Sequence, residues 1–139
     1  MDKRFDGLKK ALLHSISLHE RLKETIRAES ASIDELSPEK ISEANTRKKE
    51  LEKEIDITNK VISGLYEECA RVFLRSGDNA RREIDRLMGR LRQSIREALE
   101  AVGETIVSVK NARSGVVEAM HDLNRRSVAA ASYAKAKFI

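Results

Sequence analysis

Tryptophan is absent, proline and cysteine occur once each, glycine occurs six times, and aromatic residues make up 4% of the 139-residue chain. Each shortage excludes something. With Cys69 alone, no disulfide can staple the fold internally, which suits a reducing compartment. With so few turn formers there is no β-hairpin signal, and no Asn-Gly or Asp-Gly pair sits between alternating strands. Long apolar runs are missing too. "VAAA" falls far short of the roughly 20 residues that cross a bilayer. The charged start "MDKRFDGLKK" and the short "ALLHSISL", broken by His14, make a poor secretory signal. The expectation is a soluble cytoplasmic protein without membrane insertion.

What is abundant is charge, at 36% of residues, together with Ala, Leu, Glu, Lys, Arg and Ile. These residues tolerate helices well. High charge with few large apolar side chains implies long, solvated helices around a thin core, in a single helical domain spanning 1–139. The net charge of +4 is uneven. Residues 1–36 carry seven basic and seven acidic residues, and residues 37–76 eight of each. Residues 77–139 carry twelve basic against eight acidic, so they hold the whole excess.

Three apolar series organise the chain. Phe5, Leu8, Leu12, Ile16, His19, Leu22 and Ile26 step by three and four, the period of one helix face, and Leu13 and Leu18 widen the stripe. After "AESASIDELS" the pattern restarts at "SPEK". Ser37 suits an N-cap and Pro38 the first helical position. Ile41, Ala44, Lys48, Leu51, Ile55, Thr58, Ile62, Leu65, Cys69 and Val72 then keep a heptad rhythm, which favours shallow, coiled-coil-like packing. "SGDN" is a second break, where Gly77 suits a left-handed C′ position and Asp78 a cap. The third series is Ile84, Leu87, Leu91, Ile95, Ala98, Val102, Ile106, Val109, Val116, Met120 and Leu123. Gly89, Gly103 and Gly115 fall within it, as hinges or close packing points. The expected fold is all-α, an antiparallel up-down-up bundle with helices over about 4–31, 38–75 and 78–135. The third helix is roughly 55 residues, near 80 Å at ~1.5 Å per residue, and outruns its neighbours. Its end must overhang, fold back as a short fourth helix, or stay mobile over 124–139.

No catalytic constellation converges. There is no Gly-rich phosphate loop. His14, His19 and His121 are isolated. "EAMH" is a single Glu-x-x-His where a di-iron bundle needs two. Cys69 sits on the heptad stripe as a small hydrophobe. No enzyme activity, cofactor or metal is expected. The arginines of "RREIDRLMGRLRQSIR" frame the apolar Ile84, Leu87, Met88, Leu91 and Ile95 without any aromatic platform, so a solvated face is expected there and no nucleic-acid partner.

The tail "SVAAASYAKAKFI" is smooth and apolar. Val116, Met120, Leu123 and Val128 continue a stripe into it, with Val117 beside them. Where the first helix has ended alongside, that stripe faces water, and an exposed apolar strip on a small protein marks an interaction site. An amphipathic helix is its natural ligand. The layout resembles the FlgN family of flagellar export chaperones. An early helix carries spaced glutamates ("LHERLKETIRAESASI"), a second a basic stretch ("NTRKKELEKEI"). The last has "NARSGVVEAMHDLNRRS" and then "SYAK". Asn111 matches the first Asn of the family's Asn-x-x-Asn, where Ser114 replaces the second. Tyr133 matches the tail tyrosine, with Ala134 where Gly is common. The resemblance implies a chaperone that covers the terminal helices of hook–filament junction proteins and docks them on the export gate of the flagellar type III apparatus. It places cargo on Val116, Val117, Met120, Leu123 and Val128, with Tyr133 and Phe138 as tail contacts. The rival expectation is a coiled-coil scaffold or homodimerisation module burying the same strip against a second copy.

Overall fold

The computed structural model describes residues 3–72 and 78–138, the side chains at 78, 137 and 138 excepted. Among these residues the chain is all-helical, with α1 (Lys3–Asp34), α2 (Pro38–Ala70) and α3 (Asp78–Phe138) and no strand. Each apolar series lies on one helix. On α1, Phe5, Leu8, Leu12, Ile16, His19 and Ile26 are buried and Leu22 half-buried. Leu18 is buried beside them. Leu13, expected to widen the same stripe, is exposed instead. It stands about 100° round the helix from Leu12, on a flank that neither neighbour covers. On α2, every position from Ile41 to Cys69 in the heptad series is buried or half-buried, as is Val72 in the turn just past its end. Lys48 holds its place there by pairing with Glu29 of α1 at 3.1 Å.

The turn between α1 and α2 departs from the sequence expectation in detail. Ser37 has the extended backbone of an N-cap, and Pro38 opens α2, but the Ser37 side chain makes no capping bond. The work falls to the preceding helix end. The Ser37 amide donates to the Ser32 carbonyl at 3.1 Å and the Leu36 amide to Ile33 at 3.0 Å, the two bonds of a Schellman closure. That closure puts Leu36 at φ 54, a left-handed conformation that costs a residue with a Cβ roughly 1–2 kcal/mol. Leu36→Gly is therefore expected to raise stability by about 1 kcal/mol in urea unfolding. A loss of stability would mean that the Leu36 side chain, which borders Ala112 and Val116, holds the corner by packing. α2 is expected to run to about 75 but ends at Ala70, where the Val72 amide donates to the Cys69 carbonyl at 2.9 Å and closes a tight turn; the expected roles of Gly77 and of the Asp78 side chain lie outside the described residues.

Packing is centred on α1. Contacts with α3 advance together along both chains, from Lys9–Glu83 at 2.6 Å to Lys23–Glu97 at 3.0 Å and Ser30–Thr105 at 2.6 Å. Contacts with α2 run oppositely. A Cβ at Gly7 would meet the Leu65 methyls at 3.8 Å, while Glu29 pairs with Lys48. Among the described residues, no Cα of α2 comes within 8 Å of one in α3. Their side chains nonetheless share one core near the second turn. There Phe5, Leu8, Leu12 and Ile16 meet Ile62 and Cys69 of α2 and Ile84, Leu87 and Leu91 of α3. Toward the first turn that shared core gives out, and α2 and α3 stand apart over α1.

α3 runs unbroken through Gly89, Gly103 and Gly115. A Cβ at any of the three would meet nothing within 4 Å, so none is a close packing point.

Candidate protein-binding surface

The third apolar series does not form one core stripe. Ile84, Leu87 and Leu91 are buried. Beyond Leu91 the helix carries two lines, each stepping by three and four. Ser94, Ala98, Ala101, Thr105 and Ser108 continue the inner line and are buried or half-buried. Ile95, Leu99, Val102, Ile106 and Val109 form an outer line, 37% to 64% exposed. Small residues thus face α1 and large ones face water. The inner line fits α1 because α1 there offers polar groups and long cationic chains. Thr105 Oγ1 donates to the Ala101 carbonyl at 3.1 Å, so its hydroxyl proton is used, and Ser30 Oγ donates to it across the interface at 2.6 Å. Lys23 and Arg27 reach Glu97 and Glu104 at 3.0 and 3.7 Å. A large apolar side chain on that face would collide with this close approach.

The outer line forms one wall of an open groove of ≈ 330 Å³ between α2 and α3. Its floor is α1, with Leu22 and Ile26, and its far rim is α2, with Lys48 and Glu52. His19 also lines the floor. Its Nδ1 lies 2.8 Å from the Ser15 carbonyl, which only accepts, so Nδ1 carries a proton. The other imidazoles, His14 and His121, are exposed and far apart in sequence. Among the described residues no group of three or more His, Cys, Asp or Glu could hold a metal ion. No helix among them is long and apolar enough to cross a membrane. Cys69 is fully buried in the core.

Past the end of α1 the helix continues alone. A shallow cleft lined by Asp34, Leu36, Ala112 and Val116 marks where it leaves the body. From 113 to 136 every residue is exposed, a projection of about 36 Å at 1.5 Å per residue. Val116, Met120 and Leu123 stand on one face, within roughly 60° of each other, and extend the outer line directly. Val117 and Val128 flank them, about 100° round from Val116. Tyr133 is exposed too and lies roughly 100° from Val116 on the opposite side, so it flanks the strip there as Val117 and Val128 do on theirs. The Phe138 side chain lies outside the described residues. Asn111 and Ser114 are exposed near the base of the projection.

The sequence pattern points to exposure of Val116, Met120 and Leu123, which are exposed, but not to that of the apolar line before them. Ile95, Val102, Ile106 and Val109 read as one apolar series with the buried Ile84, Leu87 and Leu91, and Leu99 falls outside that series. The signal was present as the second heptad line, but it was merged with the first because both have helical period.

Electrostatics along the α1–α3 seam are mild. The Lys23 hydrogen bond, then Gln93 and the Lys23 charge, hold the Glu97 carboxyl below its ordinary value, against burial, which acts the other way. Because the folded value is lowered, the pair's contribution is complete above the ordinary carboxylate range and is lost as pH falls through the folded value. The pair is half-buried at the edge of the seam and still meets solvent, so that contribution is small. Lys23→Ala is expected to move the Glu97 titration upward in a carboxyl NMR experiment. An unmoved titration would show that Gln93 alone sets it.

Comparison with family models, with curated proteins and with solved structures finds no match to this chain.

Proposed function

We propose that the protein is a non-enzymatic, cytoplasmic export chaperone of the FlgN type. On this reading its up-down-up helices present α3 to the amphipathic terminal helices of flagellar hook–filament junction proteins and keep them competent for type III export. The observation that supports it is the outer line of α3, from Ile95 to Leu123, where large apolar side chains stay exposed while small ones are buried. A client helix laid along that line enters the groove between α2 and α3 and completes a four-helix arrangement.

Fully burying one such side chain is worth roughly 1.5–3 kcal/mol. These are already part-covered, and association and ordering take back much of the gain. Binding is then firm but reversible, as release at an export gate requires. No bond is made or broken.

The test is co-expression with terminal-helix fragments of the hook–filament junction proteins from the same cell. The expected product is a soluble complex in which α3 amides between 95 and 123 exchange more slowly than in the isolated protein. Fragments that stay aggregated, with α3 exchange unchanged, would overturn the assignment.

A further inference from the structure

The charges of α3 are sorted about the outer line. Numbering that line as a heptad seam puts Leu99, Ile106 and Met120 at a positions and Val102, Val109, Val116 and Leu123 at d positions. Between residues 92 and 126 every acidic residue (Glu97, Glu100, Glu104, Glu118 and Asp122) then falls at b, c or f, away from the seam. The basic residues do the opposite. Arg92 and Arg113 sit in the seam itself, Arg96 and Lys110 at the flanking e positions, and Arg126 at g, while Arg125, at f, is the exception and pairs with Asp122. The five at or beside the seam are all exposed. Two of the acidic residues are turned toward α1, where Glu97 and Glu104 pair with Lys23 and Arg27. The surface left for a partner is therefore a line of large apolar side chains edged with positive charge alone. Two acidic groups line the groove, neither on α3: Glu29 of α1, buried and paired with Lys48, and Glu52 on the opposite, α2 rim.

From this juxtaposition we infer that the occupant is an amphipathic helix of another protein, about four heptads long, with acidic residues on the edge that meets Arg96, Lys110 and Arg113. The inference rests on the helix-holding reading above and adds the chemistry of the client. A second copy of α3 does not fit. Its flanking positions between 96 and 126 hold Arg96, Lys110, Arg126 and neutral residues, with no acidic group in any register or direction. In a parallel pair it would also set Arg113 against Arg113 within the seam. Opposite charges at e and g set partner choice in paired helices, and like charges there disfavour it.

The experiment titrates the full chain with two synthetic helical peptides of about four heptads, sharing one Leu/Ile seam. One carries Glu at the flanking positions and the other Lys. Binding is read by fluorescence anisotropy at about 50 mM and about 500 mM NaCl, and the mass of the protein alone is measured by sedimentation. The Glu peptide is expected to bind at least about tenfold more tightly at low salt, with the gap narrowing at high salt. Arg96→Glu/Lys110→Glu/Arg113→Glu, all exposed positions, is expected to invert the preference. The comparison of the two peptides on the unaltered protein decides the matter even if that variant is unstable. Equal binding of both peptides would overturn the acidic client while leaving the helix-holding surface in place. Binding of neither, or a stable dimer of the protein that excludes both, would overturn the two readings together.

Discussion

Leu99→Asp combined with Met120→Asp is expected to weaken client binding by at least about a hundredfold while the isolated protein still unfolds cooperatively, with a stability loss near 1 kcal/mol. The two effects separate because these residues do nothing for the fold. They are 64% and 65% exposed, and an aspartate on an exposed helix face costs only its lower helix propensity, about half a kcal/mol each. In a complex the same carboxylates would be carried into an apolar seam without partners, at a cost of several kcal/mol, and each 1.4 kcal/mol is a factor of ten in affinity. One residue lies on the groove wall and the other on the projecting helix, so the pair covers both ends of the surface. Anisotropy with the client helix and urea unfolding of the free protein check the two halves. A variant that still binds would place the client elsewhere, and one that unfolds would show that the seam belongs to the core.

Stability is expected to follow position on α3 and not side-chain size. Leu87→Ala, at a site 2% exposed within the shared core, is expected to cost about 2–5 kcal/mol by loss of burial and creation of a cavity. Leu99→Ala removes the same atoms twelve residues on and is expected to change stability by no more than about 0.5 kcal/mol. Ala101→Leu adds apolar volume, yet is expected to destabilise by about 1–3 kcal/mol. Ala101 is 0% exposed on the close-approach face, and the added methyls push α3 off α1. Urea midpoints of the three variants order them directly. If Leu99→Ala proved as costly as Leu87→Ala, the outer line would be packed in solution and the groove would not exist.

The two halves of the molecule differed in how readable they were. On α1 and α2 the apolar period points straight to the buried face, because each presents one dominant line to its neighbours, from Phe5 to Ile26 and from Ile41 to Cys69. Leu13 is the exception, and it is exposed because no third neighbour reaches that flank. On α3 the same reasoning blended two lines into one. Ile84, Leu87 and Leu91 belong to the inner line, whereas Ile95, Val102 and Ile106 belong to the outer, and a path stepping from one to the other still has helical spacing. The distal strip was legible because it lies beyond the reach of α1. Length alone argues that Val116, Met120 and Leu123 lack partners. Val128 and Tyr133 lie on opposite flanks of that strip, a placement that follows only once the helix is known to run unbroken.

From its residues alone this chain is bound to be helical, interrupted near Ser37 and Gly77, with a last helix too long for its companions. Composition, capping chemistry and period are local properties, and they suffice for that much. Which side of α3 is hidden is not local. It depends on the fit between small residues such as Ala98 and Ala101 and a face of α1, clamped by ion pairs such as Lys23–Glu97 across 74 positions of sequence. It depends equally on α2 standing too far from α3 to close over the larger side chains. Two lines of equal periodicity compete for burial, and only the tertiary approach of the helices chooses between them.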